Sequence, residues 1–389
     1  MIHPLMKAYG VGATQIGLIS AFYYYAYTPL QIPTGIIIDR YSVRWTLTLS
    51  IILCVIGAVI FASFVNLPAA YAGRILMGIG SAFAFIGALK LAALWLPQKQ
   101  FALFSGIATG LGTIGAVSAD TILSRMVISF GWRYSVYITA IIGFVLAIFM
   151  VLIIRDKPHW VKSVPKSYQS WSFMMKRMLE ILKNWHFWMN GIVGCFLFLP
   201  INVFASLWGV AFLIQSYHLP PADGATAASL IFIGTAVGSP IVGWISDTMK
   251  SRRLPLFVGI IVTLALRIIL IYVNNLSEVT IYVLLFLIGL FVAPQVLVFA
   301  IAREISPPRT TGVATASTNF LVTVGAAIFQ PLIGLLLDIQ WKGTLTTTGV
   351  HLYSIQAYRY ALLVLPAVLV ISFILTFAIP KTPSVSRCS

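Results

Sequence analysis

Gly35-Ile36-Ile37-Ile38-Asp39-Arg40-Tyr41-Ser42-Val43-Arg44 is a short charged turn between two long apolar runs. No charge falls between Ala8 and Ile38 before it, or between Trp45 and Gly73 after it. A glycine on the last helical turn lets a neighbouring helix approach closely. An acid four residues on, with bases just beyond, suits a membrane surface. The layout recurs at Gly243-Trp244-Ile245-Ser246-Asp247-Thr248-Met249-Lys250-Ser251-Arg252-Arg253, 208 residues along the chain. Two such turns predict a duplicated membrane protein.

The composition agrees. Of 389 residues, 60% are hydrophobic and 9% charged, with a mean hydropathy of +0.97. A soluble protein of this size is about a quarter charged. Water-soluble enzymes, nucleic-acid binders and secreted scaffolds therefore fit poorly. Apolar runs of roughly 20 residues each span a bilayer. Eleven are expected, at 14–38, 45–65, 70–96, 101–124, 133–154, 187–213, 222–246, 254–274, 279–302, 311–337 and 357–379. Residues 1–13 read as a short polar lead. The basic stretch 155–186 reads as a linker between a five-span bundle (1–154) and a six-span bundle (187–389). Within the linker, 172–184 has helical apolar spacing and suits an interfacial helix.

The net charge of +16 follows from topology. With both charged turns on the cytoplasmic side, 17 Lys and Arg lie inside and five outside, and three fall within spans. This bias sets the orientation, with the C-terminus inside, and needs no nucleic acid. Counting back from the paired turns, the first half is one helix short. A second pair supports duplication: Ser105-Gly106-Ile107-Ala108-Thr109 and Thr311-Gly312-Val313-Ala314-Thr315, 206 residues apart. Repeats in the same order and orientation are related by an axis along the membrane normal.

These residues resemble the major facilitator superfamily of secondary transporters, whose signature turn runs Gly-x-x-x-Asp-Arg-x-Gly-Arg-Arg. Gly35, Asp39, Arg40 and Arg44 match it, while Ser42 and Val43 depart. Gly243, Asp247 and Arg252 match in the second copy. Gly73-Arg74-Ile75-Leu76-Met77-Gly78-Ile79-Gly80 resembles the family's fourth-helix motif, and Gly131-Trp132-Arg133 its entry to the sixth helix. Gly112 and Gly115 lie where antiporters of the family carry a Gly-Pro-rich motif, and the missing proline leans toward symport or uniport. Tyr23-Tyr24-Tyr25-Ala26-Tyr27 with Gln31 and Pro33 loosely resembles a bacterial branch related to lysosomal dipeptide carriers. The resemblance implies an all-α, two-bundle membrane protein of the bacterial inner membrane. It implies alternating access, with the paired turns latching the inside closed and no enzymatic activity. It also implies a monomer that carries a small organic solute, with short peptides or amino-acid-like compounds preferred and drug or metabolite efflux as the rival. A degenerate non-transporting protein is the alternative from another class.

Charges inside a bilayer are costly and mark functional candidates. Arg74 and Asp120 lie near the outer ends of successive antiparallel spans. They are expected either to pair structurally or to serve in proton coupling and anion binding. Lys90, sixteen residues after Arg74, points about 160° away from it on a straight helix. Arg267 has no acid at its depth, so snorkelling or packing is expected. Tyr27, Gln31, Asn202, Gln295 and Asn319 are polar positions within spans, where helix–helix bonding competes with substrate contact. Trp208 reads as a stacking platform or an interfacial anchor. Pro29, Pro33, Pro200, Pro240, Pro294 and Pro331 can bend their helices. No histidine falls at mid-membrane, and no phosphate-cradling loop or metal-ligand spacing occurs. The expected partners are lipid, a small solute and a coupling proton, with no cofactor.

Overall fold

The computed structural model describes residues 2–95, 98–156, 179–306 and 311–380, without the side chains at 36, 39, 93, 98–110, 120, 311 and 312. The described chain is helical apart from short connections, and its one β-bridge joins Leu345 to His351. Among the described residues, nine helices are long and apolar enough to cross a membrane. Each expected span falls largely on helix. The helix Ala13–Arg40 has 28 residues but is not among the nine. Its tyrosines, Gln31 and two prolines dilute the apolar content. The apolar run Leu111–Ile153 has 43 residues, twice a crossing, and breaks at Gly131 with φ 79 and ψ 162. That left-handed backbone favours glycine. The break brings Trp132 inward, against Phe61 and Tyr9.

Helices before residue 156 pack mainly on one another, and so do those after 179. Two pairs join the sets: Ala13–Arg40 runs antiparallel to Thr311–Ile339, and Gln98–Ile153 packs on Pro221–Thr248. The first pair is hydrogen-bonded across at two levels. Asn319 Nδ2 donates to Gln31 Oε1 at 2.9 Å, and the hydroxyls of Thr28 and Thr323 lie 3.2 Å apart. Further along, a Cβ on Gly17 would meet the Gln330 carbonyl oxygen at 2.6 Å.

Several sequence expectations need correction. Residues 1–13 are not a polar lead, because Ile2–Tyr9 is a helix with Ile2, Leu5 and Met6 buried. Their spacing makes one apolar face. The glycines of the paired turns make no close approach. A Cβ at Gly35 or Gly243 meets nothing within 4 Å among the described residues. The tight crossings lie deeper, at Gly57 against Gly73 and at Gly234 against Gly289. Lys90 does not share one straight helix with Arg74. The helix Leu67–Ser81 ends before Ala82 and Phe83, and a second helix, Ala84–Trp95, starts after them. Of the expected interfacial helix at 172–184, residues 172–178 lie outside the described residues.

Arg267 does not snorkel. It is fully buried, its guanidinium stands 4.8 Å from the Phe204 ring centroid, and none of its nitrogens has a hydrogen-bond partner among the described residues. A desolvated cation over an aromatic ring recovers about 2 kcal/mol, less than the burial of a charge costs. Arg267→Met is expected to leave the thermal unfolding midpoint unchanged or raise it. A clear drop, measured on purified protein in detergent, would reveal a stabilising partner.

Candidate transport cavity

Ser42 departs from the family's turn, and its place in the structure shows why it works there. It is the N-cap of Val43–Ser63, accepting from Trp45 N at 3.2 Å. Its hydroxyl donates to Asp156 Oδ2 at 2.7 Å, and Arg44 N donates to Asp156 Oδ1 at 2.9 Å. An acid from beyond Ile153 thus caps this helix, where negative charge is favoured. Asp156 was not singled out in the sequence, although it is the first acid after the fifth expected span. The Arg44 guanidinium lies over the Trp45 ring and Arg40 is exposed. The Asp39 side chain lies outside the described residues.

The second turn closes on itself. Arg252 contacts Asp247 at 2.6 Å, Glu304 at 3.1 Å and Ser246 Oγ at 3.0 Å. It thereby ties the turn to the end of helix Leu297–Glu304. Lys250 takes a left-handed backbone with φ 49, which lets the chain reverse.

A cavity of about 1210 Å³ lies between the two sets of helices. One wall carries Ser20, Tyr23, Tyr24, Tyr27 and Arg74, and the facing wall carries Asn202, Ser206, Thr235, Ser239 and Gln330. Tyrosines at 23, 24 and 27 share one face because they sit three and four residues apart. Arg74 is the one charged side chain in the described lining. Its Nε donates to Ile19 O at 3.1 Å and its Nη2 to Ser20 O at 3.4 Å. The Tyr23 ring lies 5.1 Å from the guanidinium. Gly78 permits this, since a Cβ there would meet the Tyr23 carbonyl oxygen at 2.3 Å. The guanidinium is therefore held in place by backbone carbonyls and a ring, and among the described residues its Nη1 meets the Met77 sulfur at 3.9 Å. The Asp120 side chain lies outside the described residues. A second, apolar hollow of about 470 Å³ adjoins at Arg74, Ser20, Tyr23 and Ser206.

Among the candidates with described side chains, Arg74, Tyr27 and Asn202 line the cavity together. Gln31 and Asn319 are spent on each other across the seam. Gln295 is buried in the short 3-10 turn Ala293–Val296, away from the described lining. Lys90 is half-buried and also outside that lining. Trp208 is neither at the cavity nor at an interface. It is fully buried, and its indole N–H donates to Gln330 O at 3.0 Å. Gln330 was missed: its Nε2 donates to Asn202 O at 2.6 Å, locking two helices across the cavity wall. Asn202 lies in a π-helical stretch, Pro200–Trp208, whose wide turn begins at Pro200. Such segments recur at functional sites.

Two sets of membrane helices, tied by two seams around a cavity whose described lining carries one arginine, fit a secondary-transporter architecture. The sequence profile of the Major Facilitator Superfamily matches residues 1–330 and 201–387. The chain belongs to that superfamily and is a multi-pass membrane transporter rather than an enzyme. It is similar to the membrane sensor protein UhpC of Escherichia coli (strain K12), 22% identical over 93% of this chain and 86% of that protein. It is also similar to the glycerol-3-phosphate transporter of Bacillus subtilis (strain 168), 23% identical over 87% and 82%. In fold it resembles a bacterial homolog of the human lysosomal transporter Spinster, at 16% identity with a TM-score of 0.77, over 98% and 92% of the two chains.

Proposed function

We propose that the chain carries a small organic anion with one negative charge by alternating access. The observation that carries this reading is Arg74, the single cation in the described cavity wall, held in orientation by the Ile19 and Ser20 carbonyls. A guanidinium binds a carboxylate or phosphate oxygen through charge-assisted hydrogen bonds. One guanidinium balances one negative charge, as on a carboxylate or a singly protonated phosphate ester. The hydroxyls and amides on the facing wall suit a hydroxylated body. The likeness to a glycerol-3-phosphate transporter supports this reading over the short peptides expected from the tyrosine-rich stretch. Asp120 is the candidate coupling acid. The bacterial inner membrane, a monomer and the paired turns on the cytoplasmic side complete the proposal, and the excess of Lys and Arg on that side supports the orientation.

Uptake into proteoliposomes tests it. The panel is sugar acids, glycerol 3-phosphate, uncharged sugars and dipeptides, each with and without a pH gradient. Saturable uptake of an acid but not of its uncharged analogue is expected. Phosphate-ester uptake is expected to rise as pH falls toward about 6, where the second phosphate proton is gained. Preference for uncharged solutes would overturn the proposal. A second reading, sensing without carriage, is favoured by the likeness to a membrane sensor protein. It predicts saturable binding of the same anion with no accumulation.

A further inference from the structure

Gly334-Leu335-Leu336-Leu337-Asp338 has the Gly-x-x-x-Asp spacing of the paired turns but lies at the opposite end of the molecule. It closes the helix Thr311–Ile339. Facing it is the start of Ala13–Arg40, whose N-cap, Gly12, has no side chain to satisfy the first N–H groups. Asp338 does so from 324 residues away. Its Oδ2 accepts from Thr14 N at 2.8 Å and from Thr14 Oγ1 at 2.5 Å, and its Oδ1 accepts from Ala13 N at 3.0 Å. The Tyr353 hydroxyl donates to Asp338 Oδ1 and accepts from Ala13 N at 2.9 Å.

The contact is shaped on both sides. A Cβ on Gly12 would meet Asp338 Oδ1 at 2.7 Å, and one on Gly334 would meet the Ala13 carbonyl oxygen at 2.4 Å. Both glycines are needed for this approach. The loop that brings Tyr353 is itself braced, with Trp341 stacked on His351 at 3.7 Å and donating to Thr344 O at 2.8 Å. Burial, and after it the hydrogen bond to Asp338, hold the Tyr353 phenol well above its usual range, so it remains a donor. Four donors on one carboxylate, at the positive end of a helix from the other set, make a trans cap.

The geometry points to Asp338 as a gating residue: its cap on Ala13–Arg40 holds this end of the cavity shut, and releasing the cap is the step that opens it. The inference rests on the alternating-access reading above. The chemistry explains why the joint can cycle. An N-cap is small in energy, and both partners remain soluble in water once parted. A carboxylate and two peptide N–H groups are satisfied by solvent in the open state, whereas an apolar seal would not be.

Spin labels at Val65 and Leu345, both exposed and near this end on the two sets of helices, test it in full-length protein lacking native cysteines. Asp338→Asn keeps the size but turns an NH₂ group toward donors. The long-distance population is expected to rise about fivefold, the size of one N-cap. Gly12→Val pushes the carboxylate away without altering any charge and is expected to give the same shift. The double variant is expected to add nothing further, because both changes break one contact. Unchanged distances in folded Asp338→Asn and Gly12→Val proteins would overturn the inference, as would additive shifts. The readout needs no solute. Shifted distances with no carriage would instead count against the transport reading.

Discussion

Arg74→Gln is expected to lower kcat/KM for an anionic solute by roughly 10- to 150-fold, the value of a hydrogen bond to a charged group. Gln matches part of the length and can still donate to the Ile19 and Ser20 carbonyls, which now accept from Arg74. Folding should survive, because those carbonyls belong to helix Ala13–Arg40 and need no second donor. What is lost is the charge in the cavity. Arg74→Lys restores charge without the fork and is expected to fall between the two. An uncharged analogue of the solute should bind wild type and Arg74→Gln alike. Uptake measured with both analogues separates recognition from damage. Equal anion uptake by Arg74→Gln would remove the arginine from the site.

Much of this was legible in the sequence because membrane helices announce themselves. Unbroken apolar runs and two charged turns 208 residues apart give helices and class. Arg74 stood out as well, since a charge within a span is costly, and it lies in the wall of the cavity. Depth and direction were not. Trp208, Gln31, Asn319 and Gln295 are polar or amphipathic residues within spans, and periodicity does not say which neighbour each will meet. Trp208 turned inward to Gln330, and Gln31 met Asn319, 288 residues away. The Asp338 cap was hidden for the same reason. Its spacing repeats that of the paired turns, but its partner is the bare start of a helix 324 residues earlier. Arg267 shows the opposite failure. Its depth was noted, yet its burial under Phe204 depends on a π-helical turn that no residue pattern specifies.

Glycine roles divided along the same line, and they set the largest expected effect on folding. Gly289→Val is expected to prevent recovery of monodisperse folded protein, whereas Gly243→Val should be recovered like wild type. A Cβ at Gly289 would stand 2.1 Å from the Ile231 carbonyl oxygen, and one at Gly234 would stand 2.1 Å from that of Phe286. Each glycine faces the other helix's backbone, so helices Pro221–Thr248 and Glu278–Val292 touch main chain to main chain. Thr235 Oγ1 donates to Gly289 O at 3.1 Å across the same crossing. Overpacking by a side chain against side chains costs about 1–3 kcal/mol, because rotamers can yield. Backbone inside a helix cannot turn aside, so the helices must separate and lose the contacts on both sides. In a bilayer that loss is not offset by a hydrophobic drive between helices, since lipid is as apolar as the partner. Size-exclusion profiles and yields of the two variants decide the matter. Recovery of Gly289→Val at wild-type yield would mean that the crossing tolerates a wider spacing, and the sequence motif Gly-x-x-x-Asp at 243 would then be as free to vary as the crossing itself.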